Sequence, residues 1–192
     1  MSLRARIAAL LGAFAVVLVG CGALVYAALE AADERDKELT QRLTPASQVA
    51  RDLLADFFEQ ETGVRGYVIT GDRDFLDSFD RGRRRADEAV ARLRSLVGGD
   101  PGISQELEEV LEAQDSWRRF AAGPEIAARR RGDVERAREL VITRQGRTRF
   151  VRLRGEVAEL QELVEADRAE AVEQAAQADR RLGSAVALAG GA

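Results

Sequence analysis

Glu61-Thr-Gly-Val-Arg-Gly-Tyr-Val-Ile-Thr-Gly-Asp-Arg-Asp-Phe-Leu76 decides the fold, because one long amphipathic pattern ends here and a second begins. A helix arriving from the N-terminal side must turn back near Gly71, which makes the stretch the tip of a helical hairpin. Gly63 and Gly66 interrupt an otherwise good helix, each at about 1 kcal/mol relative to alanine, so something must offset that cost. They lie three apart on one face, where missing side chains let a second helix approach closely. Glu61 and Arg65 lie four apart with the acid first, the favourable order for an ion pair. Tyr67 adds a ring with a polar tip. Thr70-Gly71-Asp72 reads as a stop and a start: Gly71 suits the left-handed helix end, and Asp72 is expected to cap a helix whose first apolar residues are Phe75, Leu76 and Phe79.

Upstream, no charged residue occurs from Ile7 to Leu29, a run longer than the about 20 residues that cross a bilayer core and longer than a signal-peptide core. Arg4 and Arg6 precede it, and Glu30, Asp33, Glu34 and Asp36 follow it. Basic residues favour the cytoplasmic side, so the N-terminus is expected inside and the bulk of the chain outside. Leu18-Val19-Gly20-Cys21 also fits the pattern of bacterial lipoprotein processing, which offers a membrane-anchored lipoprotein or structural bundle as the alternative. The residues after Cys21 stay apolar to Leu29 instead of becoming a polar tether, which favours an intact span. The lipid bilayer is the first expected partner.

From Glu30 the chain is polar with a helical repeat. Leu39, Leu43, Ala46, Ala50, Leu53, Phe57, Val64 and Val68 recur at steps mostly of three and four, and Pro45 is expected to kink this helix. A second helix is expected from about Arg73 to Val97, followed by the break Gly98-Gly99-Asp100-Pro101-Gly102. A third begins near Ile103 and should turn Leu107, Val110, Leu111, Trp117 and Phe120 to the core, with Trp117 read as a packing residue rather than a ligand-stacking one. Gly123-Pro124 is expected to interrupt it, leaving residues 123–147 as a cap at the far end of the bundle. A final long helix starts near Thr148, carries Phe150, Leu153, Val157, Leu160, Val164 and Ala171, and leads to the uncharged residues 182–192, read as the start of a second span. The organisation is thus a cytoplasmic 1–6, a transmembrane 7–29, a bundle over 30–181 and a truncated span at 182–192. The fold class is all-α, an antiparallel four-helix bundle with long first and last helices.

Composition agrees: aromatics are 5% of the chain, charged residues 32%, and there are three prolines, a balance of long helices. Absent histidine excludes a phosphoacceptor histidine, a histidine triad and histidine metal ligands, and a single cysteine excludes an intrachain disulfide. Catalysis is not expected in this chain, nor any cofactor or metal. Of its 29 basic residues only Arg4 and Arg6 precede Glu30, while all 33 acidic residues lie from Glu30 onward, so the extramembrane part is net acidic and nucleic acid is not an expected partner. Arg83-Arg84-Arg85 and Arg129-Arg130-Arg131 are the dense basic runs. Solvated helix faces are the simpler reading; an anionic ligand or lipid headgroup is the sharper one, with Arg129, Arg130 and Arg131 the better candidates because they border the expected cap.

Glu61, Thr62 and Gly63, then Arg65, Gly66 and Tyr67, then Thr70 and Gly71, and finally Phe75 and Leu76 resemble the signature of the third type of CHASE domain. These are sensory extracytoplasmic modules of membrane-bound histidine kinases, nucleotide cyclases and related receptors. The resemblance extends over about Leu39 to Arg180 and is specific over Glu61 to Leu76. It implies an extracytoplasmic four-helix bundle between two spans, working as a homodimer on an unidentified extracytoplasmic ligand or stimulus, with an output domain, commonly a histidine kinase, beyond the second span. A chemoreceptor-type ligand-binding bundle would have the same helix count.

Overall fold

The computed structural model describes residues 3–190; the side chains of residues 3–6, 8, 9, 144, 181, 182 and 185–190 lie outside the described set. Residues 1 and 2 of the expected cytoplasmic segment and 191 and 192 of the expected second span therefore lie outside the described residues, as do most side chains of both segments. The chain divides into two compact units, Met1–Leu39 with Ala171–Ala192, and Thr40–Glu170. Among the described residues all regular structure is helical, in agreement with the all-α expectation.

In the first unit, α1 (Leu3–Lys37) exposes Leu10, Phe14, Val17, Leu24 and Leu29. The helical stretch beginning at Leu10 is long and apolar enough to cross a membrane, by length and composition. Cys21 on α1 is a free, exposed thiol.

The second unit is an antiparallel bundle. Its elements are α2 (Thr44–Thr70), α3 (Asp74–Val97), α4 (Pro101–Trp117), α5 (Gly123–Arg130), α6 (Val134–Ile142) and α7 (Arg144–Gly190), the last of which continues beyond the unit. The periodic apolar positions read from the sequence meet inside it. Leu53, Phe57, Leu93, Val110, Leu153, Val157 and Leu160 are fully buried, and at about 25 cal/mol per Å² of apolar surface they supply the main driving force. Trp117 is a packing residue: its ring lies 5.4 Å from that of Phe150, which in turn stands edge-on to Phe58 at 5.6 Å.

The three prolines mark three helix starts. Pro101 takes the first turn of α4 behind Asp100, whose Oδ1 accepts a hydrogen bond from the Ile103 backbone N at 2.9 Å. Pro45 and Pro124 instead follow widened π-helical turns, Glu38–Leu43 and Arg118–Ala122. A proline cannot donate to the carbonyl one turn back, and the wider turn absorbs the missing bond without ending the helix. The expected kink at Pro45 takes this form. Gly123-Pro124 does not break the third helix as expected: Ala122 and Gly123 keep right-handed helical dihedrals, so α4, the π turn and α5 make one rod. Of the expected cap at 123–147, only α6 stands apart from the rods. The extra residue in the π turn also shifts the helical face, so Ala121 and Ala122 are buried while Phe120, expected in the core, is 56% exposed beneath the Arg149 guanidinium.

Glycines set the spacing of α2 and α3. A Cβ on Gly63 would lie 2.6 Å from the Phe75 carbonyl oxygen and 2.8 Å from the Phe79 backbone N; one on Gly82 would lie 2.8 Å from the Asp56 carbonyl oxygen. Both clashes are with backbone, which cannot rotate away. Gly63→Ala and Gly82→Ala should each destabilise the bundle by about 1 to 3 kcal/mol in chemical denaturation. Gly155→Ala, at an exposed α7 position with nothing near the added methyl, should stabilise it by up to about 1 kcal/mol; the same sign at all three sites would refute the seam.

Candidate functional site

The signature residues of the α2–α3 turn divide between packing and surface. Gly63 and Gly66 face α3, Gly66 lying directly against the Phe75 ring. Tyr67 and Leu76 are buried, whereas Thr62 and Thr70 are exposed. Gly71 ends α2 in the left-handed conformation at φ 78°, and its N–H bonds the Tyr67 carbonyl at 2.7 Å. Thr70 Oγ1 donates to the Gly66 carbonyl at 2.7 Å and accepts from the Asp72 backbone N at 3.1 Å. Asp72 is not the helix cap itself: α3 starts one residue later than a cap at Asp72 requires, and Arg73 occupies that position in helical geometry. Its Oδ1 nevertheless accepts from the Asp74 backbone N at 3.1 Å, so the carboxylate still satisfies a first-turn donor.

Helix α5 closes this end. The Arg129 guanidinium packs on Gly71, where any Cβ would collide with it. That sets a cation against the negative end of the α2 dipole and ties α5 to the hairpin turn. Of the three arginines read as possible anion contacts, Arg129 is thus committed to the fold. Arg130 and Arg131 point elsewhere, into a groove shared with α3.

A polar cluster sits beneath. Glu61 and Arg65 pair at 2.7 Å as their spacing suggested. Burial pushes the Glu61 carboxyl up, with Arg65 and then Arg154 opposing it. Glu125, in the first turn of α5, is only 7% exposed. A small cleft lined by Glu61, Arg65, Trp117, Glu125, Gly146 and Arg147 collects these groups. Glu125 Oε1 lies 3.1 Å from where a Cβ of Gly146 would stand, so glycine here leaves the carboxyl its space without a shift. Burial pushes the Glu125 carboxyl up to about 7; Arg65 lowers it and Glu61 raises it further. Sequence reading missed Glu125 because its burial arises where α2, α5 and α7 converge.

Three carboxylates, of Glu106, Glu156 and Glu159, approach within 4.8 Å of one another on α4 and α7, and Glu159 is exposed. Among the described residues this is the one acidic group with metal-ligand spacing; Glu106 and Glu156 are half-buried, and acidic clusters near a surface are common without an ion.

Glu125 makes stability depend on pH in a definite direction. Its folded-state carboxyl is raised above the unfolded value of about 4.3. The stability contribution is therefore complete below that value and is lost as pH rises to about 7. Thermal or chemical denaturation should show a loss on the order of 2 kcal/mol between about pH 5 and pH 8, and Glu125→Gln should remove most of that slope and be the more stable protein at the upper pH. Parallel pH profiles for the two proteins would contradict the assignment.

The sequence matches the CHASE3 domain over residues 36–174, nearly the range of the resemblance drawn from the turn residues. No curated protein matches the chain. Among solved structures, the chain is similar to the sensor domain of the Rhodopseudomonas palustris histidine kinase HK9, with a TM-score of 0.55 and 19% identity, covering 68% of this chain and 98% of that one. At that identity the likeness is one of fold, and it agrees with a helical-bundle sensor. The chain belongs to the CHASE3 domain family, and its bundle is a sensory domain.

Proposed function

We propose that this bundle is the extracytoplasmic input module of a transmembrane receptor. In this reading Ile7–Leu29 spans the membrane with the N-terminus in the cytoplasm, the bundle works as a homodimer outside, and the first and last helices relay a stimulus to a cytoplasmic output, a histidine kinase, that residues 1–192 do not contain. The observation that carries it is α7: one uninterrupted helix begins beside the Glu125 cluster and runs to Gly190, within the uncharged terminal segment. The packing at the turn end is therefore joined to the apolar terminal sequence by continuous helix. The π turn at Glu38–Leu43 supports the same reading for the first helix, because it joins α1 to α2 without a loop. A stimulus acts on such a device only through the difference in its affinity for two packings. The similarity to a histidine kinase's sensor domain supports the choice of output.

The orientation is tested by labelling. In a Cys21→Ala background, Arg84→Cys in intact cells should react with a membrane-impermeant maleimide; protection until the cells are lysed would place the bundle in the cytoplasm and end the proposal. The relay is tested in the intact receptor. Arg65→Ala removes a half-exposed ion pair worth about 1 kcal/mol or less, so it should leave the bundle folded yet lower the output response severalfold. Gly66→Leu drives a side chain into the Phe75 ring and should lower both melting temperature and output. Full response and unchanged melting in both variants would remove the turn from the relay.

A further inference from the structure

Five arginines that neither the hairpin nor the buried cluster uses converge on one groove. It has a volume of about 730 Å³ and lies between α3, the Arg118–Ala122 π turn and α5, within the range of small-molecule sites. Arg83 comes from α3, Arg118 and Arg119 from the π turn, and Arg130 and Arg131 from the end of α5. Leu76, Phe79 and Ile126 supply apolar lining.

Two carboxylates, Asp80 and Asp115, stand against these five guanidinium groups. Each serves a neighbour on its own helix, Asp115 pairing with Arg119 at 2.8 Å and Asp80 with Arg83 at 3.5 Å. No carboxylate among the described residues pairs with Arg118, Arg130 or Arg131, and the Arg83 Nε is buried without an acceptor. A concave surface with a net positive charge in a chain of net charge −4 holds like charges together at a cost that an anion relieves. The π turn that accommodates Pro124 also shapes this site. It brings the adjacent Arg118 and Arg119 to the same groove.

We propose that this groove binds a small organic anion, a carboxylate or phosphate ester with an apolar body, whose charged group is held by Arg83, Arg118 and Arg130 and whose body lies on Leu76, Phe79 and Ile126. Guanidinium forks suit both anions through paired N–H donors, and the apolar lining gives the body of the molecule a place that an inorganic ion leaves wet. The proposal rests on the input-module reading for its purpose, since it makes this groove the place where the stimulus enters, but its chemistry stands on the groove alone.

The test is calorimetric titration of the whole chain in zwitterionic nanodiscs at low ionic strength, with benzoate and phenyl phosphate as probes, inorganic phosphate for charge alone and benzyl alcohol for the body alone. At least one of the two organic anions should bind saturably at one site, more tightly than inorganic phosphate, and benzyl alcohol should not compete. Arg118→Gln with Arg130→Gln should weaken binding about tenfold or more, while Arg84→Gln with Arg92→Gln, the same loss of two charges at exposed positions outside the groove, should stay within about twofold. Helical content by circular dichroism checks that the variants are folded. Absence of saturable binding by both organic anions, equal binding of benzyl alcohol, equal or tighter binding of inorganic phosphate, or equal affinity in folded groove variants would overturn the assignment. The input-module reading fails on a different result, the cytoplasmic labelling of residue 84, so the two ideas fall separately.

Discussion

The close approach of α2 and α3 is the constraint on which the rest of this bundle depends. Where Gly63 faces the Phe75 and Phe79 backbone and Gly82 faces the Asp56 carbonyl, the two helices meet with no side chain between them. Two helices in ordinary contact sit about 8 to 10 Å apart because side chains fill the gap; removing those side chains lets the backbones touch. Each glycine costs the helix about 1 kcal/mol of intrinsic stability, and dispersion contacts along the seam offset it. Once the helices are this close, their polar flanks register as well: Arg85 on α3 reaches Asp56 at 2.6 Å and also pairs with Glu59, both on α2. Gln60, fully buried beside Gly82, donates to the Asp56 carbonyl at 3.4 Å. The seam therefore fixes both the spacing of the hairpin and its register.

Much of this fold was legible because the information is local and periodic. Helix faces follow from apolar residues at steps of three and four, and Val64, Leu93, Leu107 and Val157 are buried as that pattern requires. The Gly63 and Gly66 spacing already implied a close neighbour, and Gly71 a left-handed helix end. Gly82 gave less warning, since it stands between arginines in a polar run and its partner is the Asp56 backbone far earlier in the chain. Gly123-Pro124 misled for a different reason. Sequence marks where a helix loses a backbone donor but not how the loss is absorbed; the π turn at Arg118–Ala122 keeps the rod continuous and turns Phe120 outward.

The site was less legible than the fold. The family resemblance drew the eye to the turn, yet most of its residues are there to pack: Gly63, Gly66, Gly71 and Phe75 make the reversal possible. The groups with unusual chemistry become visible only when separate helices converge. Glu125 is an ordinary first-turn acid in sequence, and its raised pKa follows from burial among α2, α5 and α7. Arg83 and Arg130 come from two basic runs of which only the second, Arg129-Arg130-Arg131, suggested an anion contact in sequence, and only the folded chain brings the two runs to one groove.

These features meet in α5, a helix of eight residues. Glu125 at its start lies in the buried cluster, Arg129 near its end holds Gly71 at the close of α2, and Arg130 lines the groove against α3. It prolongs the rod of α4 through the π turn, and these side-chain ties fix where the end of that rod rests. Ionising Glu125 opposes burial of its end, and an anion in the groove would offset the charge of the arginines at the other. Both act on one rigid element. A shift of α5 cannot be confined to either end, since Arg129 carries it to the α2–α3 turn and the contact of Glu125 with Gly146 carries it to the first turns of α7. Energetic coupling of this kind requires two packings that the groups at both ends of α5 bias unequally. In the relay proposed above, the place for a second packing is here rather than in the core, because the glycine seam and the fully buried layers around Phe57 and Leu153 leave little room for another arrangement.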